Sequence, residues 1–175
     1  MRYWILHLSL LLASIAPLGA ADGYREMNWD ELAPKNWNPA AEIKALDLGK
    51  LQDSDPRAIE AMEKIRDMWN NAPTDPALEG VKIRLPGFVI PLEKKGEKVT
   101  EYLVVPYFGA CVHSPPPPAN QIIHAFAKKP IVMRSMDAFW IKGTLSLHRA
   151  ETPWGASGYR ITVDSLTPYK ATDKK

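Results

Sequence analysis

Between Val81 and Leu166 the chain breaks into short runs of apolar and β-branched residues separated by turn signals, and this pattern limits the fold more than any other feature. Val81 to Leu92 is the first run, with Pro86-Gly87 marking a kink or bulge inside it. Lys94-Lys95-Gly96-Glu97-Lys98 reads as a polar hairpin tip, and Val99 to Tyr107 as the returning strand. Gln121 to Ala127 is a third strand and Ile131 to Met133 a short fourth. Ala138 to Leu147 alternates, with Phe139, Ile141, Leu145 and Leu147 on one face and Gly143 between them. Gly158 to Leu166 closes the series. Short strands this closely spaced predict a mainly β domain: a small antiparallel OB-like barrel, whose closure removes exposed edges, or alternatively a two-sheet β-sandwich.

The segment before the strands is different. Residues 22–78 read as an N-terminal extension, residues 79–170 as the barrel domain and residues 171–175 as a polar tail. Met27 to Pro34 holds a short helical turn at best, and Trp29, Leu32 and Trp37 are expected to pack on the main body. One amphipathic helix is marked by Asp55 as N-cap and Pro56 at the first helical position. Ile59, Met62, Ile65, Met68 and Trp69 recur at helical spacing, a stripe expected to be core packing, while Glu60, Glu63, Lys64 and Asp67 form the wet face. Asn70 to Pro73 ends it.

Residues 1–21 carry the signs of a cleavable secretory leader. Arg2 begins it, Tyr3 to Ala16 is apolar, Pro17 breaks the run, and Gly19-Ala20-Ala21 offers the small residues of a cleavage site. The run is short for a bilayer span, so no membrane span is expected after cleavage, and a soluble, periplasmic product follows. The formal net charge of +2, without a basic stripe, gives no reason to expect a nucleic-acid partner. Export makes Cys111 conspicuous, because it is the chain's single cysteine and an oxidising compartment offers it no partner within the chain. The domain is therefore held by its core and not by disulfides.

Cys111 lies in the densest cluster of unusual residues, Pro106 to Gln121, between two strands. His113 stands two positions on, and alternate residues of an extended segment face the same way. A thiolate and an imidazole together suit Zn²⁺ or copper. The same pair would suit an activated thiol nucleophile. The run Pro115–Pro118 favours a stiff polyproline II conformation, which would fix the loop or offer a docking surface to another envelope protein. Two ligands do not complete a structural zinc site. The histidines left in the mature chain are His124, which shares a strand face with Ile122 and Phe126 and reads first as a satisfied core residue, and His148, on an outward face. No nucleotide, serine-hydrolase or metalloprotease motif is present, so an enzyme is not the leading reading.

At this loop the sequence resembles a bacterial family known as domain of unknown function 3299. The residues that carry the resemblance are Trp29 to Pro34, Val81 to Leu92, Tyr102 to His113 with the prolines through Asn120-Gln121, Ile141 to Leu145 and Gly158 to Arg160, with the run G-A-C-x-H-x-P-P-P-P as its most specific part. The resemblance implies a small exported protein or lipoprotein. This chain departs from lipoprotein members in having no lipid-accepting cysteine after its leader. Some members of the family are encoded beside components of zinc-uptake ABC transporters, which implies an accessory metal-binding role with such a transporter as partner. Cys111 and His113 would be the zinc ligands, with His124 and His148 as candidates to extend the set.

Overall fold

The computed structural model of the protein describes residues 23–52, 54–111 and 116–170. The expected leader, the polar tail, His113 and Pro115 lie outside the described residues. Among those described, no helix is long and apolar enough to cross a membrane.

The extension begins with a two-residue strand, β1 (Arg25–Glu26), and a 3₁₀ turn at Trp29–Leu32. Asn28 accepts from the Glu31 amide while Glu31 reaches back to the Asn28 amide, a reciprocal cap. Residues 39–45, expected to be extended, form a helix instead, α1 (Pro39–Ala45). The cause is the arrangement used again at the next helix: Asn38 accepts from the Ala40 amide and Pro39 takes the first turn. Helix α2 (Pro56–Asn70) begins as expected, with the Asp55 carboxylate accepting from the Arg57 amide.

The buried face of α2 differs from the expected stripe. Ala58, Ala61 and Ile65 are buried, whereas Ile59 and Met62 are 54% and 53% exposed. The helix rests on its small residues, so the bulkier neighbours one position along are turned outward.

Five strands make the barrel: β2 (Lys82–Lys95), β3 (Lys98–Val105), β4 (Ile123–Val132), β5 (Ala138–Thr152) and β6 (Gly155–Pro168). Their order is β2-β3-β4-β6-β5, and β2 pairs again with β5, so the sheet closes on itself with β1 appended to β2. This is the OB-like barrel of the sequence reading, and not the sandwich. Its pairings are antiparallel except that β4 runs parallel to β6 and β1 parallel to β2. The expected third and fourth strands are one strand, β4. Its ladder with β3 shifts register between Val99 and Glu101, which accommodates the stretch containing Pro130 without breaking the strand.

Alternation sorts side chains to the two faces of the barrel wall. Ile83, Leu85 and Val89 of β2, Val99, Tyr102 and Val104 of β3, Ile123 and Ala125 of β4, Ile141 and Leu145 of β5 and Tyr159, Ile161 and Val163 of β6 fill the interior. Leu32, Met27 and Leu78 from the extension and its linker join this core, with Trp29 packed against it. The Trp29 indole donates to the Pro86 carbonyl at 2.7 Å. The expected kink or bulge at Pro86-Gly87 is not there: β2 keeps unbroken register with β5 through both residues, and its irregularity against β3 lies between Pro91 and Lys94. Trp37 packs on a separate small cluster of Ala72, Ala119 and Ala156.

Gly143 sits where β5 shifts its register against β6. A Cβ there would meet the Thr162 carbonyl oxygen at 2.4 Å and Ile161 Cγ1 at 2.8 Å, so the wall closes only around a glycine. Gly143→Ala is predicted to lower the free energy of unfolding by about 2–3 kcal/mol, read from urea denaturation midpoints. An unchanged midpoint would show that the strands yield at this point.

Candidate functional site

The segment joining β3 to β4 leaves the barrel at Val105, and its described first part, through Cys111, packs on the outside of the wall. Its first half turns at once. The Ala110 amide donates to the Tyr107 carbonyl, and Gly109 takes a positive φ of 85°. Cys111 follows with φ 65°, the left-handed region that side-chain-bearing residues seldom adopt. This turn drives Ala110 into a second apolar cluster, made with Ile90 of β2, Leu103 and Val105 of β3, and Ile122. Phe88, Leu92, Cys111 and Met136 pack against it. Met136 also has a positive φ, 68°, and its Sδ accepts from the Gly109 amide at 3.3 Å. Tyr107 and Phe108, at the crest of the turn, are 45% and 67% exposed, with the Phe108 ring edge-on to Phe88.

The second half of the loop is tied to the extension. Pro116 and Pro117 face Met62, Ile65 and Trp69 of α2 across a cavity of about 330 Å³. Asn120 donates from its side-chain amide to the Pro73 carbonyl at 2.9 Å, and Gln121 to the Trp29 carbonyl at 3.0 Å. The chain then enters β4 through a 3₁₀ turn at Ala119–Gln121. Both ends of the loop are thus fixed by packing and hydrogen bonds, one to the barrel and the other to α2 and the extension.

The Cys111 thiol is half-buried, and burial pushes its pKa up to about 11. No cationic group among the described residues lowers it. It is a neutral thiol at physiological pH.

His124 is 8% exposed and lies on the outer face of β4, next to the cluster on which Cys111 packs. Leu103 is its register partner in β3, and Ile122 precedes it by two positions on the same face. Its Nε2 is 2.7 Å from Glu101 Oε1, so one ring nitrogen is held by a carboxylate. Its Nδ1 is buried with no hydrogen-bond partner. The ring stacks at 4.5 Å on Phe126. The core histidine of the sequence reading is therefore buried but only half satisfied.

His148 is exposed on β5 and belongs to another contact. Arg160 of β6 donates through Nη2 to His148 Nε2 at 2.6 Å, and its guanidinium lies 4.9 Å from the Phe126 ring. Arg160 pairs in register with His124 across the parallel β4–β6 ladder. The structure therefore places Cys111 against the outer cluster and His124 on the outer face of β4, and sets His148 beyond Arg160. Among the described residues, no three His, Cys, Asp or Glu side chains converge on one point. Glu101, Met136 and Arg160 were not singled out by the sequence. Glu101 carried one usable signal, a carboxylate between Val99 and Leu103 in an apolar strand, but its histidine partner depends on the β3–β4 register.

A search of curated proteins finds no match to this chain. Among solved structures, it is similar to a DUF3299 family protein from Pseudomonas aeruginosa PAO1, whose crystal structure aligns with a TM-score of 0.65 at 35% identity, covering 84% of this chain and 97% of that one. The family model described as protein of unknown function (DUF3299) matches residues 29–168, which takes in the extension from Trp29, the whole barrel and the Cys111 loop. By that match and that likeness, the chain belongs to the DUF3299 family.

Proposed function

We propose that this is an exported periplasmic accessory protein that binds a transition metal, zinc in the first instance, through Cys111 and His113, and serves an ABC-type metal uptake system. The observation that carries the reading is the placement of Cys111. The chain's single thiol sits in a left-handed turn on a loop anchored at both ends, half-open to solvent and without an ion-pair partner among the described residues. A thiol kept protonated by burial is a poor nucleophile, which weighs against thiol-dependent catalysis. It remains a good latent ligand, because a bound cation displaces the proton outright. The transporter as partner rests on the family resemblance of the loop motif.

The sign of the pH dependence follows. Metal competes with the thiol proton, so apparent affinity rises with pH, about tenfold per unit as long as the pH stays below the thiol pKa and one proton is displaced. Calorimetric titration with Zn²⁺ near neutral pH is predicted to show one site with release of a proton, and Cys111→Ser to weaken it at least tenfold. Equal binding by the parent and the variant would remove Cys111 from the site. The metal-free protein is predicted to alkylate at Cys111 at a rate that climbs about tenfold per pH unit above neutrality, toward a midpoint of about 11. A midpoint near 7 would restore the nucleophile reading.

The exposed pair Tyr107 and Phe108 favours a second reading, a module that docks another envelope protein without metal. Its expectation is that Phe108→Ser abolishes partner crosslinking while Zn²⁺ chelation leaves it intact. Crosslinking that survives the substitution would sink it.

A further inference from the structure

Helix α2 leaves an apolar edge uncovered, and the prolines of the loop stand opposite it. The helix rests on Ala58, Ala61 and Ile65. Met62, Arg66 and Trp69, spaced by four and three residues, form the next stripe along its surface. With Ile65 and the rings of Pro116 and Pro117 they line the cavity of about 330 Å³ between helix and loop. That volume falls within the range of small-molecule sites.

The walls are fixed by contacts outside the cavity. Pro116 backs onto Gly155 of β6, where a Cβ would come within 2.9 Å of Pro116 Cβ. On the other side, Arg149 of β5 donates to the Asn70 carbonyl at the end of α2. Proline has no N–H, so the loop wall offers hydrocarbon and carbonyl oxygen but no backbone donor at Pro116 and Pro117. Met62 is 53% exposed, and its unbranched thioether adapts to the shape it meets.

Against these apolar walls stands one charge. The other cations at this end of the molecule are engaged: Arg57 pairs with Asp55, Lys64 with Glu60 and Arg149 with Glu151. Arg66 is exposed and has no ion pair or hydrogen-bond partner among the described residues. Its neighbours Glu63 and Asp67 leave it unpaired. A guanidinium presents parallel N–H donors that fit a carboxylate in a two-point contact.

We infer that this cavity binds a small carboxylate with an apolar chain, its chain against Met62, Trp69 and the two prolines and its head on the Arg66 guanidinium. At ~30 Å³ each, the share of a water in the liquid, the space takes roughly ten non-hydrogen atoms. Octanoate has that size. The inference is independent of the metal reading, because Cys111 does not line this cavity.

The test uses the purified protein with ¹³C in its methionine methyl groups, titrated with octanoate. The Met62 signal is assigned through Met62→Leu. The expected result is a saturable shift of the Met62 methyl while the buried Met27 and Met133 stay in place. Arg66→Gln is expected to weaken octanoate at least about threefold and to leave octanol binding unchanged. Unmoved Met27 and Met133 signals show that this variant is folded. The inference is overturned if octanoate does not move Met62, if octanol binds the parent as tightly as octanoate does, or if Arg66→Gln keeps the parent affinity. A Met62 methyl that shifts with protein concentration alone would also overturn it, because a second copy of the chain then covers this face. Failure of the protein to bind Zn²⁺ would leave it standing.

Discussion

The Tyr159 hydroxyl holds the molecule's parts in register. Tyr159 is fully buried on β6, donates to the Leu32 carbonyl at 2.6 Å and accepts from the Asp75 amide at 2.7 Å. One phenol thus joins the barrel to the extension before α1 and to the linker after α2, across 127 and 84 residues of sequence. Burial pushes its pKa up to about 12, so the hydroxyl stays a donor over any physiological range. Removing it would strand a carbonyl and an amide in the interior, a larger loss than the bond alone. Its ladder partner in β4 is Ile123, the first residue after the Cys111 loop. The tyrosine that docks the extension therefore also sets where the loop re-enters the sheet.

From that anchor the placement of the loop follows. Asn120 and Gln121 tie its exit to Pro73 and Trp29, both within a few residues of the chain that Tyr159 holds. Ala110 ties its entrance to the outer cluster of β2 and β3. Ala110 and Cys111 therefore lie over part of the wall that OB-like barrels commonly use for ligands, the face of the second and third barrel strands. In this chain Leu103 and Val105 of that face are taken by the protein's own Ala110 and Cys111.

Much of this was legible where the signal is local. Asp55-Pro56 marked α2 and alternation marked the strands, whereas Pro86-Gly87 marked no kink but the place where Trp29 docks. Asn38-Pro39 carried the same capping signature as Asp55-Pro56 and marks α1, although the polar sequence around it reads as extended. The outward turn of Ile59 and Met62 was not legible, because helical spacing defines a stripe but not which edge of it the barrel and loop will cover. Nor was the parallel β4–β6 ladder, since nothing within a strand specifies a partner a hairpin away. The site divides the same way. Cys111 stood out by composition alone. The state of His124 depends on Glu101, a pairing created by the register and bulge of β3 against β4.

The distribution of apolar side chains also decides how a metal would act on the fold. The interior of the barrel is closed by Ile, Leu, Val and Tyr side chains, and neither Cys111 nor His124 belongs to it. Both sit on the outer wall, in or beside a second, smaller cluster. Metal-dependent folding arises where a small domain lacks a core of its own, and here the core is complete without either residue. A metal held at the proposed Cys111 site would thus change the loop and the state of its thiol, not the barrel.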